Sequence, residues 1–466
     1  MLSVQPCFRP GLEPDFLPAS LWNRAYDELV ARDAGARPFA LALERDETDV
    51  SVFRGRVLGA AHPEAALNER YAERLLKFLL WQWGGHRVLV AGADDLAAHL
   101  ARVYGVAGER SFDHAFMGEK IYGRPFSVEA VGLDRLPAGR ATGLALGRHL
   151  EGCRIGFDLG GSDRKVAAVV DGRVVFTEEV PWDPYFQRDP QYHIDGVEES
   201  LQRAASHLPR VDAIGGSAAG VYVKNEVRVA SLFRGVPAAD FDRSIRPMFR
   251  LLQQRWGGVP FEVANDGEVT ALAGAMALGD NAVLGISMGT SMAGGYVNPD
   301  GEITSWLNEL AFVPVDYRPE APRDEWSGDA GCGVQYFSQQ GVARFARRAG
   351  FVFGDGVPLP ERLAAVQRAM AAGDERARAV YATIGTCLGY AIGQFSAFYE
   401  LRHLLVLGRV MTGAGGDVIL QEARRVLAGE FPGLAGRVRL HLASEKDKRH
   451  GQAVAAASLP ALRIRS

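Results

Sequence analysis

The residues best suited to chemistry are two aspartates and three glycine-rich turns. Asp158 ends an apolar strand predicted over 154–159, and Gly160, Gly161 and Ser162 lead from it into a second strand over 165–170. Glycines can take positive φ and bring backbone N–H groups close to an anion, and the Ser162 hydroxyl adds a donor. A carboxylate at that strand end can hold a divalent cation through water. Asp171-Gly172 predicts a tight turn into a third strand over 173–180, so three strands follow one another as a meander. A turn of this kind alone merely reverses a chain, and phosphate binding needs further support.

That support comes in fixed order along the sequence. An apolar strand over 261–264 runs into Asn265-Asp266-Gly267 and a helical stretch over 268–278, which puts a carboxylate suited to act as a base at a strand-to-helix junction. Asp266 reads equally as the N-cap of that helix, and the two roles are compatible. A strand over 282–288 ends in Gly289-Thr290-Ser291, a second phosphate-type turn. A strand over 403–407 leads through Gly408, Gly413, Gly415 and Gly416 into a helix over 417–427. A glycine-rich turn before a helix suits a nucleotide. Lys165, on a strand, reads as a solvated charge without reach to phosphate.

These four elements in this order resemble the ROK family of sugar kinases and repressors, within the actin, hexokinase and Hsp70 ATPase superfamily, over residues 151–466. The resemblance implies an α/β, two-lobed actin-like ATPase (ribonuclease H-like) fold, with one lobe over 151–265 and the other over 266–466. Residues 1–150 are then an additional N-terminal α/β segment. ATP and magnesium are implied, with Asp158, Gly160, Gly161, Ser162, Gly289, Thr290 and Ser291 around the phosphates and the metal. Gly413, Gly415 and Gly416 match the turn lining the adenosine pocket. Asp266 matches the catalytic base and Asn265 a sugar ligand. The stretch 217–220, followed by Ala230-Ser231-Leu232, resembles a degraded sugar-contacting loop.

The departures from that family are informative. ROK kinases carry Glu-x-Gly-His and C-x-C-G-x-x-G-C-x-E, whose His and three Cys bind structural zinc. The matching residues here are Glu309-Leu310-Ala311-Phe312 and 325–334, where only Glu309 and Cys332 survive. Tetrahedral zinc needs four N or S ligands, which Phe312 and Ser327 do not supply. No zinc is expected, and Cys332 reads as a small buried hydrophobe. Phe312 and Val334 also replace groups that hold sugar hydroxyls, so an ordinary glucokinase is not expected. Glu309 remains as a sugar contact, and Phe312 or Trp306 can lie against an apolar sugar face. Trp306, Trp326 and Tyr336 read equally as core.

Composition fits a globular α/β protein of 466 residues with net charge −4, which implies no general affinity for polyanions. No apolar run is long enough to span a membrane, residues 1–15 show no signal-peptide core, and the four cysteines form no C-x-x-C. A cytoplasmic location is the expectation. Residues 1–150 hold 18 Lys or Arg against 19 Asp or Glu, which argues against the basic DNA-binding domain of ROK repressors. They predict a hairpin from strands over 39–43, 50–53 and 56–59, then helix 65–83, strand 87–91 and helix 93–104. A degenerate repeat of the nucleotide fold is one reading of them, and an unrelated α/β appendage the other. The stretch 136–152 is the expected boundary, while Lys446, Lys448 and Arg449 read as a solvated helix start. The expected activity is ATP-dependent phosphorylation of a hydroxyl on a sugar, amino sugar or cyclitol, without nucleic-acid or membrane partners, in a chain that by resemblance forms a homodimer. The alternative is a catalytically weak sensor of a sugar or phosphosugar.

Overall fold

The computed structural model describes residues 2, 4–140, 146–442 and 445–462, with the side chains of 445–450 outside the description. The expectation for Lys446, Lys448 and Arg449 therefore lies outside the described residues. Two compact units are present. One comprises Met1–Thr142, Ile286–Gly294 and Trp306–Leu442, and the other Gly143–Gly285, Gly295–Ser305 and Ala443–Ser466. The first 142 residues thus share a unit with most of the chain's C-terminal third.

That N-terminal part runs α1 (Ala19–Arg32), β1 (Arg37–Glu44), β2 (Val50–Val57), α2 (Leu67–Trp83), β3 (Arg87–Ala91), α3 (Asp94–Val103), α4 (Ser111–Ala115) and β4 (Ser127–Val131). The two short strands expected over 50–59 are one strand, and α1 and β4 were not legible in the sequence. The sheet order is β2-β1-β3-β4, with β1 antiparallel to both β2 and β3, so that β2 and β3, the strands flanking α2, run parallel to each other.

The second unit begins with β5 (Cys153–Leu159), β6 (Asp163–Val170) and β7 (Arg173–Pro181), followed by α5 (Pro190–Ala205) and β8 (Ala213–Ala218). A small hairpin of β9 (Val221–Val223) and β10 (Glu226–Val229) precedes α6 (Ala238–Asp240), α7 (Met248–Arg255), β11 (Phe261–Asn265) and α8 (Asp266–Leu278). The sheet order is β11-β8-β5-β6-β7, antiparallel through the meander and parallel between β5 and β8 and between β8 and β11. Asp171 and Gly172 take φ of 49° and 77°, the pair of positive values that a two-residue hairpin turn needs. Residues 240–256 do not form one continuous helix, because Pro247 lacks an N–H and starts α7 afresh after a short π-type turn at Phe241–Ile245. Phe157 on β5 stacks near Phe249 of α7 in the core of this unit.

The remaining elements are β12 (Val283–Met288), β13 (Met292–Val297), α9 (Gln339–Arg348), α10 (Leu359–Ala371), α11 (Glu375–Phe395), β14 (His403–Leu407), α12 (Ala414–Glu430), α13 (Pro432–Ala435), β15 (Arg439–Leu442) and α14 (Glu445–Ala457). A second sheet has the order β13-β12-β14-β15. Helix α14 belongs to the second unit and lies on β5 and β8, which explains why both strands carry glycine at the contact. A Cβ on Gly156 or Gly215 would overlap the carbonyl oxygens of Ala453 or Ala456. Helix backbone on strand backbone leaves no room for either to give. Gly215→Ala is therefore expected to destabilise the protein by about 1–3 kcal/mol in denaturant unfolding, the usual cost of overpacking a filled core.

Candidate functional site

Asp158, the penultimate residue of β5, is 6% exposed. Its register places it opposite Ser217 on β8 and Lys165 on β6, one on each side. The Ser217 hydroxyl donates to Asp158 Oδ1 at 2.7 Å, while Lys165 Nζ stands 3.8 Å from Oδ2. Burial pushes the Asp158 carboxyl up to about 6, and the neighbouring charge of Asp266 adds to that, outweighing Ser217 and Lys165. Lys165 is not a simple solvated charge. It is one quarter exposed and pairs with Asp163 Oδ1 at 2.9 Å, which holds the ammonium between two carboxylates of the turn.

Asp266 is the first residue of α8, and the cap is its neighbour. Asn265 Oδ1 accepts from Gly267 N–H at 2.7 Å, and Asn265 Nδ2 donates to Gly220 O at 2.7 Å. Asn265 is thus fixed at both ends of its amide, and the cap expected of Asp266 belongs to Asn265. This frees the Asp266 carboxylate, which accepts from the same Gly267 N–H at 2.9 Å. Burial raises its pKa above the ordinary carboxylate value, and the bond from Gly267 only partly offsets this. Gln452 of α14 donates to Asp266 O at 3.3 Å and Thr270 Oγ1 at 3.1 Å, bracing the first turn of the helix.

The first glycine turn differs in detail from expectation. Neither Gly160 nor Gly161 takes positive φ. Glycine at 161 instead leaves room for the Tyr185 hydroxyl, which a Cβ there would meet and have to displace. Trp182 fixes the turn, donating from its indole to Gly160 O at 2.7 Å and from its backbone N–H to Ser162 O at 3.1 Å. The Ser162 hydroxyl donates to Asp163 Oδ2 at 2.7 Å. Ser231 is exposed at the start of a short 3-10 turn, Ser231–Phe233.

In the other unit, Gly289 N–H donates to Ser291 O at 2.9 Å and Gly289 O accepts from Gln339 N–H at 2.9 Å, tying the second turn, with Thr290 at its tip, to the start of α9. Gly413 is the N-cap of α12 with φ of 76°, and Gly415 and Gly416 form its first turn, so the helix starts three residues before the expected 417. The backbone N–H groups of a helix N-terminus are presented there.

Around Glu309 the N-terminal part does the positioning. Backbone N–H groups of Asn308 and Glu309 donate to the carbonyls of Gln82 and Trp81 at the end of α2, at 3.0 and 2.9 Å. The Phe312 ring, expected to be open to a sugar face, packs on Trp81 with centroids 4.1 Å apart and lies 5.9 Å from Phe112. Val334 is 3% exposed, a core residue. Trp306 lies 6.0 Å from Trp83 and from Tyr399, Tyr336 is fully buried, and Trp326 is exposed.

The loop that carries zinc ligands in the resembling family is held here by charges. Asp329, 1% exposed, accepts from Arg74 Nη2 at 3.0 Å, pairs with Arg110, and has Lys77 Nζ at 3.6 Å. Lys77, with no exposed surface, bonds both oxygens of Asp113 at 2.7 and 2.9 Å, and Asp113 also accepts from the Trp81 indole at 2.7 Å. Glu73 completes the set, bonded to Arg74 and to Arg110 at 2.6 Å each. Burial opposes the charge on Lys77, but the Asp113 and Asp329 carboxylates outweigh it and raise its pKa. Three acids and three bases balance. Cys332 is buried beside them, and burial pushes its thiol far up, as befits an inert hydrophobe. Among the described residues no group of His, Cys, Asp or Glu is arranged to hold a metal ion through three or more side chains. This network was missed in sequence, although three bases or amides, Arg74, Lys77 and Gln82, on a helix otherwise rich in Leu, Phe and Trp were a visible signal.

No family model and no curated protein matches the sequence. Solved structures do. A ROK hexokinase from Thermus thermophilus superposes with a TM-score of 0.52 at 21% identity, over 66% of this chain and 96% of that one. A ROK family glucokinase from Streptomyces griseus, solved with glucose and AMPPNP, gives a TM-score of 0.48 at 21% identity over 66% and 98%. A ROK family transcriptional regulator gives 0.48 at 18% identity over 66% and 79%. The first of these likenesses establishes the fold: the chain has the actin-like ATPase fold of the ROK proteins, with further α/β structure beyond it. No helix among the described residues is long and apolar enough to cross a membrane.

Two outcomes follow from these buried charges. The raised pKa of Asp158 means that the folded state binds its proton more tightly than the unfolded chain, so stability falls as pH rises from about 4 to about 6 and stays reduced above. Asp158→Asn is expected to gain about 1–3 kcal/mol at pH 7.5 in urea unfolding, the gain vanishing below pH 4. Lys77→Met strands two buried carboxylates and is expected to cost about 3–5 kcal/mol, part of it recovered by adding Asp113→Asn.

Proposed function

We propose that this chain is a divergent ROK-family carbohydrate kinase that transfers the γ-phosphoryl group of ATP to a hydroxyl of a sugar, amino sugar or cyclitol, with Asp266 as general base. The observation that carries this reading is the division of labour between Asn265 and Asp266. Asn265 caps the helix, leaving a carboxylate raised by burial with little else to do. A base works best when its pKa approaches the working pH, and desolvation moves Asp266 in that direction.

In the reaction, the attacking hydroxyl gives its proton to Asp266 as its oxygen bonds the γ-phosphorus. The bond from that phosphorus to the bridging oxygen breaks, and ADP leaves. Gly160, Gly161, Ser162, Gly289, Thr290 and Ser291 supply backbone and hydroxyl donors to the phosphates, and the start of α12 at Gly413, Gly415 and Gly416 receives the adenosine side. Asn265, Glu309 and Ser231 serve the sugar. Asp158 fits magnesium, through water, because its desolvated Oδ2 has only Lys165 at 3.8 Å as counter-charge. Magnesium, when bound, offsets charge on the phosphates.

A second reading, a weakly catalytic sugar or phosphosugar sensor, is favoured by Val334 in the core and by the Phe312 ring packed on Trp81, which leave fewer polar groups for the sugar. Asp266→Asn separates the two. For a kinase it is expected to retain ATP binding by calorimetry while turnover falls about 10²–10⁴-fold. Unchanged turnover removes Asp266 from the role of base.

A further inference from the structure

A cleft of about 690 Å³ lies within the first unit, between α1, β2 and the end of α11, apart from every residue assigned above. That volume is within the range of roughly 300–1,000 Å³ typical of small-molecule sites. Two amides meet in its wall. Gln394, 2% exposed, accepts from Asn23 Nδ2 at 3.1 Å, yet Gln394 Nε2 and Asn23 Oδ1 are buried without a hydrogen-bond partner. Turning both amides end for end exchanges donor and acceptor but still strands one atom of each. A buried, unpaired amide atom is costly, and native structures keep few of them.

The other groups in the cleft complete a pattern. Asp27 stands on the rim, where the surrounding protein raises its carboxyl to about 6 with no cation contributing. Arg54 and Arg56 supply guanidiniums of opposite sign, Arg56 also donating to the Ala36 carbonyl at 2.7 Å, while Arg24 is paired with Glu430 at 2.7 Å and Glu28 stands 3.8 Å from Arg32. Phe53 and Phe398 line the floor with ring centroids 6.5 Å apart. Planar amides, a carboxylate and a guanidinium each engage hydroxyls, and aromatic rings pack on the C–H faces of a pyranose. Two guanidiniums stand against one carboxylate among the groups without an ion-pair partner, a balance that suits a hydroxylated ligand that is neutral or carries one negative charge.

We propose that this cleft is a second ligand site, for a polyhydroxylated molecule of mono- to disaccharide size, built jointly by the N-terminal segment and α11. It is independent of the kinase reading, because a sensor with the same cleft would bind the same class.

The test is calorimetric titration of the full chain with a panel of neutral mono- and disaccharides, repeated on Gln394→Leu, Arg54→Ala and Asn265→Ala. For at least one saccharide, Gln394→Leu and Arg54→Ala are expected to weaken binding tenfold or more while Asn265→Ala leaves that binding unchanged. Arg54 lies on the rim, so its variant remains informative if Gln394→Leu does not fold. The proposal is overturned if no saccharide binding responds to either cleft substitution in folded protein. It is equally overturned if only ligands without a set of hydroxyls, such as amino acids or inorganic phosphate, show that response.

Discussion

The first unit is organised around a single buried acid. Arg74, Lys77 and Arg110, all from the N-terminal helical region, converge on Asp329 in its loop. Charges removed from water in this way stabilise only when every partner is present, so the loop depends on α2 and on the residues at the start of α4 for its place. The consequence runs on to the site. The same helix α2 that presents Lys77 to Asp329 offers its last carbonyls to Asn308 and Glu309 and its Trp81 ring to Phe312. The N-terminal segment is thus a structural support of the loop at 308–312, the one proposed to meet the sugar. Glu13 repeats the device near the chain start, where Arg318, Arg344 and Arg348 converge on a carboxylate 1% exposed.

In the second unit a different constraint links fold to chemistry. Helix α14 lies so close on β5 and β8 that those strands need Gly156 and Gly215, and the resulting burial desolvates the strand ends. Asp158, near the end of β5, and Asp266, at the start of α8, are both raised by burial before any neighbour acts. Desolvation destabilises the resting protein, and perturbed carboxylates of this kind are candidates for the cation and proton roles proposed for them.

Much of this was legible. Apolar runs bounded by Asp-Gly, Gly-Gly or Asn-Asp-Gly fixed the meander and the strand-to-helix junction at 265–266, because the turn residues and the side-chain period agree there. The lost zinc motif was legible as well, but what occupies its place was not. Arg74 and Asp329 are 255 positions apart, and no local pattern couples them. Lys165 was misread because its partners, Asp158 and Asp163, become neighbours only when β5 and β6 pair. Gly161 was assigned to backbone freedom, whereas it leaves room for a tyrosine packed against it from 24 positions on. The antiparallel pairing of β1 with β3 is a property of register that apolar alternation does not encode.

The most direct test of the account is the coupled measurement of ADP release and phosphoester formation by wild-type protein with magnesium and ATP, across aldoses, ketoses, amino sugars and cyclitols. The account predicts equal amounts of ADP and phosphorylated product for at least one acceptor, with glucose not preferred because Val334 and Phe312 withhold the polar groups that would hold its hydroxyls. Binding of ATP without acceptor-dependent ADP release anywhere in the panel would contradict it.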